Sequence, residues 1–123
     1  MIVLDTSAVI ELIIGSEKGK RISVLLEPEA AAVTAITINE ALSCASERQR
    51  SIFQLFFKTC HVLPFDEQAA YKSVELEESL YKKGRPLAKP DLFIASICLL
   101  HGLPLLTCDS DFTRIDDLEI ITP

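Results

Sequence analysis

Five acidic side chains stand where chemistry that needs converging carboxylates would place them. Asp5 follows the apolar run "MIVL", Glu40 follows "AAVTAI", Asp109 and Asp111 follow "LPLLT", and Asp91 opens a helical stretch. Two carboxylates about 4 Å apart repel by about 4 kcal/mol at an effective dielectric near 20, so a group of them takes up a proton or a cation. Mg²⁺ or Mn²⁺ is the expected occupant, because hard ions prefer oxygen ligands.

Each of these acids also has an explanation that needs no metal. Asp5 is predicted to cap a helix, and Asp91, directly after Pro90, lies in a first helical turn where a negative charge is favoured. "TINE" spells a capping box between Thr37 and Glu40, and "DSDF" fits an Asx turn that leads into a short helix. For any single acid, both interpretations stay open.

The elements that must position these acids alternate along the chain. Short apolar runs predict strands at 1–4, 31–36, 60–65, 103–107 and 118–122. Helical patterns cover 7–26 with a break near Gly15, 37–59 with a break near Ser46, 66–83 and 90–100. This alternation predicts an α/β fold, a mainly parallel sheet of about five strands flanked by helices.

A parallel sheet would bring the acids together. Its strand-to-helix junctions all lie along one edge, which is where ligands usually bind in such folds. Asp5, Glu40, Asp91, Asp109 and Asp111 belong to four different junctions or helix starts of this kind. The sequence therefore predicts one acidic cleft with a divalent cation.

Length and composition limit the function classes. With 123 residues, the chain is the size of one domain, so we expect a single domain over 1–123. The net charge of −6 and pI near 4.8 argue against binding nucleic acid by phosphate neutralisation alone, although bound divalent ions would reverse the local sign.

Apolar content points to a partner. The hydrophobic fraction is 49% and the mean hydropathy +0.30, high for so small a chain, which predicts a surface buried in a homodimer or against another protein. The segment "SIFQLFF", 51–57, is apolar on more than one helical face, so it serves either the core or such an interface.

Membrane and secretory features are not predicted. The longest apolar run, 92–100, is too short to span a bilayer, and "MIVLDTS" lacks the basic start of a signal peptide. The four cysteines have no CxxC spacing and lie in apolar stretches, which favours reduced core thiols and a cytoplasmic location.

Four segments resemble the PIN-domain ribonucleases, in particular the single-domain VapC toxins of prokaryotic toxin–antitoxin pairs. They are "IVLDTSAVIEL" (2–12), "TAITINEAL" (34–42), "KPDLFIASICLLHGLPLLTCDSDF" (89–112) and "LEII" (118–121), so the likeness spans essentially the whole chain. It implies hydrolysis of RNA phosphodiester bonds by a metal-activated water, with products that carry a 5′-phosphate and a 3′-hydroxyl.

The resemblance also assigns residues and partners. It implies that one or two Mg²⁺ or Mn²⁺ ions are held by four acids that act as the catalytic set, namely Asp5, Glu40, Asp91 and Asp109. Thr6 and Thr107 match hydroxyls that orient those carboxylates, and Asp111 would be a peripheral ligand or a supporting acid. Proteins of this kind usually form homodimers and are inhibited by a small VapB-type antitoxin.

The match departs from the family pattern in one place that matters. Many relatives place the second acid three residues after the first, whereas "DSDF" places it two residues on, which leaves the roles of Asp109 and Asp111 open. Ser96 replaces a usual Ala, and both residues are small.

Basic residues offer a second surface. They fall in two clusters, Lys18, Lys20 and Arg21, and then Lys82, Lys83, Arg85 and Lys89. The second cluster leads directly to Asp91 and is either a solvated helix end or a contact for the RNA backbone.

Functions from other classes fit less well. A phospho-accepting receiver domain needs paired acids after the first strand and a Lys after the last, whereas this chain has one acid, Asp5, and "LEIITP". A haloacid-dehalogenase-like phosphatase needs a second Asp where Ser7 stands. A catalytically inactive PIN-like or receiver-like binding or signalling module is the alternative to the nuclease.

Overall fold

The computed structural model describes residues 1–123 and contains one five-stranded parallel sheet. The strands are β1 (Ile2–Leu4), β2 (Ala31–Thr34), β3 (His61–Leu63), β4 (Leu105–Leu106) and β5 (Ile120–Ile121). They lie in the order β3-β2-β1-β4-β5, and every neighbouring pair is parallel. The predicted fold class, an α/β domain with about five parallel strands, is confirmed.

Six α-helices and one 3₁₀ helix connect and flank the strands. They are α1 (Thr6–Ile14), α2 (Glu17–Leu26), α3 (Ala35–Ser43), α4 (Glu47–Phe57), α5 (Glu67–Lys82), α6 (Lys89–His101) and the 3₁₀ helix Ser110–Arg114. The predicted break near Gly15 is confirmed, because this residue ends α1 in the left-handed conformation at φ 74°. The break near Ser46 is confirmed as well, since Ser46 starts α4 with a capping box to Gln49.

The boundary between β2 and α3 differs from the prediction. The strand predicted over 31–36 ends at Thr34, and α3 begins at Ala35, because the Thr34 hydroxyl accepts the N–H of Thr37 and caps the helix. The predicted capping box between Thr37 and Glu40 is therefore wrong. Thr37 is buried inside the helix, and the Glu40 carboxylate is left for another partner.

Two apolar layers fix the sheet between them. Along β1, Val3 packs into one hydrophobic cluster and Ile2 and Leu4 into the other, as the alternation of side chains along a strand requires. Helix α6 is buried along most of its length, including Leu92, Ile94, Ala95, Ser96, Ile97 and Cys98. The edge at which β1 and β4 end is thus backed by buried strands and a largely buried helix.

The apolar residues are not all buried. In "SIFQLFF", Phe57 is buried, whereas Ile52 and Leu55 are exposed, so this segment contributes to both the core and the surface. The expectation of four core thiols is wrong for Cys44, which is exposed at the end of α3, although Cys98 is buried. None of the helices has the length and apolar character that a bilayer crossing requires.

Candidate metal centre

Asp5 is held at the end of β1 by three hydrogen-bond donors. It is buried and caps α1, where its Oδ1 accepts the N–H of Ala8 at 3.0 Å and the hydroxyl of Ser7 at 2.7 Å. Its Oδ2 accepts the hydroxyl of Thr107 from the end of β4 at 2.6 Å. Burial raises the pKa of Asp5, and these hydrogen bonds act in the opposite direction. The predicted cap is thus real, and the carboxylate also joins two neighbouring strands.

Glu40 reaches the same edge from α3. The hydroxyl of Thr6, the first residue of α1, donates to Glu40 Oε1 at 2.7 Å. Thr6 and Thr107, the two hydroxyls that the resemblance singled out, thus each donate to a carboxylate of the predicted set.

Three further carboxylates converge beside this pair. Asp91 in the first turn of α6, Asp109 and Asp111 each place an oxygen so that all three oxygens lie within 4.8 Å of one another. The Asx turn predicted for "DSDF" is present, because Asp109 Oδ1 accepts the N–H of Asp111 at 2.9 Å and starts the 3₁₀ helix. Asp109 can therefore cap the 3₁₀ helix and still belong to the cluster, because the turn uses only one of its two carboxylate oxygens.

The pKa of Asp91 reports how strongly the acids act on one another. It is raised to about 6, first by burial and then by the negative charges of four acids, in decreasing order Asp109, Glu40, Asp5 and Asp111. All five predicted acids thus contribute to one negative field. Arg114 is the cation within ion-pair distance of this group, at 3.1 Å from Asp111.

The chemistry of the donors fits a hard divalent ion. Every donor in the group is a carboxylate oxygen, and Mg²⁺ and Mn²⁺ prefer such ligands. One cation leaves most of the negative charge uncompensated, so a bound ion would relieve the repulsion that raises the pKa of Asp91.

Comparison with known proteins agrees with this arrangement. The family model of the PIN domain matches residues 2–118. The chain belongs to the PIN-domain family. Ribonuclease VapC5 of Mycobacterium tuberculosis is 32% identical over 129 residues, which cover 97% of this chain and 93% of that protein. The predicted likeness to PIN-domain and VapC proteins is confirmed.

Solved structures of the PIN fold superimpose over nearly the whole chain. VapBC from Salmonella typhimurium, solved bound to DNA, matches with a TM-score of 0.84 at 26% identity and covers 98% of this chain and 96% of that one. VapBC2 from Rickettsia felis, bound to a promoter DNA fragment, matches with a TM-score of 0.86 at 23% identity, over 99% and 98% of the two chains.

Ser7 also belongs to this acidic edge, although the sequence did not predict a role for it. Its hydroxyl donates to Asp5 Oδ1 and accepts the N–H of Cys108 at 3.0 Å, and it lies 3.4 Å from the Thr107 hydroxyl. It therefore joins the start of α1 to the segment after β4. The signal available was its place two residues after Asp5 in "DTS", directly after a strand.

The predicted basic cluster that precedes Asp91 in the sequence is largely paired with acids. Lys83 and Arg85 both contact Asp116, at 3.1 and 3.5 Å, and Lys89 contacts Glu77 at 2.6 Å. These side chains are about half exposed or more, and Lys82 is exposed without an ion pair. Exposed pairs of this kind are weak enough to exchange for other partners.

An apolar groove leads to the acidic edge. It has a volume of about 240 Å³ and lies between α1, α3 and α4. Its walls include Ile10, Ile14, Ile52 and Phe53, and Glu40 lines it as well. Ile10, Ile14 and Ile52 are exposed, so the groove presents apolar surface directly beside a member of the acidic set.

Proposed function

We propose that this chain is a Mg²⁺- or Mn²⁺-dependent endoribonuclease that hydrolyses phosphodiester bonds and leaves 5′-phosphate and 3′-hydroxyl ends. The observation that carries the proposal is the approach of the Asp91, Asp109 and Asp111 oxygens to within 4.8 Å at the edge that also holds Asp5 and Glu40. The full-length likeness to a protein named as a ribonuclease supports the choice of RNA.

The residues divide into ligands and supports. Asp5, Glu40, Asp91 and Asp109 would hold one or two ions, with Asp111 at the periphery. When bound, the ion activates a water for attack on phosphorus and stabilises charge on the leaving oxygen. Thr6 and Thr107 hold the Glu40 and Asp5 carboxylates in place through their hydroxyls.

The basic cluster would position the substrate. We assign the RNA backbone to Lys82, Lys83, Arg85 and Lys89, which precede Asp91 on the chain. On RNA binding, Lys83, Arg85 and Lys89 would each exchange an exposed acidic partner for a phosphate. Lys82 has no ion pair to break. Contacts to phosphates hold RNA in register without selecting its sequence.

The same proposal includes protein partners. The chain would be the toxin of a VapBC-type pair, active in the cytoplasm and inhibited by a small VapB-type antitoxin. The superposition on the Salmonella typhimurium VapBC complex supports this partner. The groove lined by Ile10, Ile14, Ile52 and Phe53 offers it an apolar surface that ends at Glu40. A homodimer would cover further apolar surface, such as the exposed Tyr71, Val74 and Tyr81 of α5.

RNA cleavage by the purified chain tests the proposal. Mixed RNA oligomers are incubated with Mg²⁺ or Mn²⁺, and then with EDTA in excess. We expect cuts that need the ion and that disappear in Asp91→Asn, whereas Asp117→Asn, an exposed acid outside the cluster, cuts at the rate of the wild type. Mn²⁺ binding without any cleavage would favour the inactive PIN-like binding module instead.

A further inference from the structure

One side chain links the two chain segments that deliver the converging acids. Arg114, the last residue of the 3₁₀ helix, donates from Nη2 to Asp111 Oδ1 at 3.1 Å and from Nη1 to the carbonyl oxygen of Pro86 at 2.8 Å. Pro86 lies in the connection between α5 and α6, five residues before Asp91. The two arms of the guanidinium are thus divided between the segment of Asp109 and Asp111 and the segment that leads to Asp91.

Helix α6 differs from the other five α-helices at its start, because it has no side-chain cap. Asp5, Ser16, Thr34, Ser46 and Asp66 each cap a helix with a side-chain oxygen. At α6 the capping position is occupied by Ala88, which makes no side-chain hydrogen bond. Pro90 and the buried apolar residues hold α6 in place, and Arg114 adds a hydrogen bond to the loop that precedes its uncapped first turn.

We propose that Arg114 is a positioning residue of the metal centre, which sets the distance from Asp91 to Asp109 by tying Asp111 to the Pro86 carbonyl. The proposal rests on the function proposed above and deepens it. Each of the two neighbouring acids has one oxygen engaged, since Asp111 Oδ1 accepts from Arg114 and Asp109 Oδ1 accepts the Asp111 N–H. In this proposal Asp111 is the anchor of Arg114, and Asp109 is the ligand. The Arg114–Asp111 ion pair is itself nearly half exposed, so the link rests on both bonds of the guanidinium, whose planar fork holds two acceptors at once.

A purely electrostatic role for Arg114 predicts the opposite sign for metal binding. A positive charge close to a cation site repels the incoming ion, so removal of that charge alone would tighten binding. Loss of positioning would weaken binding, because the three oxygens would no longer be held within 4.8 Å. The direction of the change in Mn²⁺ affinity therefore separates the two roles.

Calorimetric titration with Mn²⁺, in the absence of RNA, is the test. We expect Arg114→Gln to weaken Mn²⁺ binding about 10-fold, the size typical of residues that orient metal ligands. Arg114→Lys should recover only part of this loss, since an ammonium lacks the fork. Arg50→Gln is the matched control, because Arg50 also donates to a backbone carbonyl, that of Leu42, but has no acid of the cluster as partner.

A double-mutant cycle tests the link itself. If Arg114 acts through Asp111, the double variant Arg114→Gln/Asp111→Ala should bind Mn²⁺ about as weakly as Asp111→Ala alone. In RNA cleavage, Arg114→Gln should lower kcat more than it raises KM. Circular dichroism checks that each variant is folded, and Arg114→Lys and Asp111→Ala carry the test if Arg114→Gln is not.

Four results would overturn the proposal. They are unchanged or tighter Mn²⁺ binding in folded Arg114→Gln, full recovery by Arg114→Lys, additive losses in the double variant, and a rise in KM with an unaltered Mn²⁺ affinity, which would make Arg114 an RNA contact. Failure of the wild type to bind Mn²⁺ is a distinct result, since it would remove the proposed function and the positioning role together.

Discussion

The two halves of the acidic edge are built in opposite ways. In the half formed by β1 and β4, the Asp5 carboxylate is buried and accepts three hydrogen bonds, from Ala8, Ser7 and Thr107. In the half formed by α6 and the 3₁₀ helix, three carboxylates crowd within 4.8 Å with one cation at hand. In the first half, three hydrogen bonds offset part of the cost of burying Asp5, although its pKa is still raised. In the second half, repulsion between the carboxylates is relieved only when a cation binds.

The two environments give different roles to aspartates that the sequence alone does not distinguish. The hydrogen bonds to a buried carboxylate offset part of the cost of its burial, and removal of either side of such a bond leaves a buried polar group unpaired. A partly exposed carboxylate among like charges opposes stability, so its presence calls for a functional explanation. Asp5 links two strands of the fold and also belongs to the site, whereas Asp91 belongs to the site and its charge lowers the stability of the metal-free fold.

The largest effect is expected from Asp91→Asn. The change keeps the shape of the side chain but removes a charged ligand, so RNA cleavage should fall at least about 100-fold and Mn²⁺ binding should be lost. Initial cleavage rates with saturating Mn²⁺ measure the first effect, and calorimetry measures the second. A variant that kept more than a tenth of the activity would show that Asp91 is not a ligand.

The hydrogen-bonded half is tested by Thr107→Val, which keeps the volume but removes both the donor to Asp5 Oδ2 and the acceptor of the Asp109 N–H. Because this carboxylate is buried, we expect the free energy of unfolding to fall by about 1 to 3 kcal/mol. Thr6→Val removes the donor to the less buried Glu40 and should cost less than about 1 kcal/mol. Urea denaturation of the metal-free proteins measures both, and equal losses would erase the distinction between the halves.

The strained half should also show itself in the dependence of stability on pH. The pKa of Asp91 is about 6 in the folded chain against 3.8 as its ordinary value, so the folded state holds this proton more tightly. The stability gained from that proton is complete below about pH 4 and is lost as the pH rises through about 6. With allowance for partial exposure, we expect the loss to be about 1 to 2 kcal/mol.

Comparison with Asp91→Asn isolates this contribution, because the other carboxylates are common to both proteins. In metal-free protein, Asp91→Asn should be the more stable above pH 7 by that amount, and the two curves should converge near pH 4. A wild type that is more stable than Asp91→Asn at pH 7.5 without metal would show that Asp91 is not strained.

The fold and the membership of the acidic set could be read from the sequence, because each depends on local patterns. Apolar runs between helical patterns predicted a parallel sheet, and strand ends placed Asp5, Glu40 and Asp109 at one edge. The strands themselves are shorter than predicted. Thr34 caps α3 two residues before the predicted end of β2, and hydrophobic runs do not record where ladder hydrogen bonds stop.

The parts that could not be predicted depend on contacts between distant segments. The bond from Arg114 to the Pro86 carbonyl joins residues 28 positions apart, and the Ser7 hydroxyl meets the Cys108 N–H across 101 positions. No local pattern carries such information. The proposed division of roles between Asp109 and Asp111 likewise rests on the contact that Arg114 makes with Asp111.

The most direct measurement is an anomalous difference map from a crystal of this chain soaked in Mn²⁺. We predict a peak between the carboxylates of Asp91 and Asp109, on the side of the edge where Asp5 and Glu40 lie. A well ordered site without a peak at saturating Mn²⁺, or a peak only at acids elsewhere on the surface, would contradict the assignment of this edge as a metal centre.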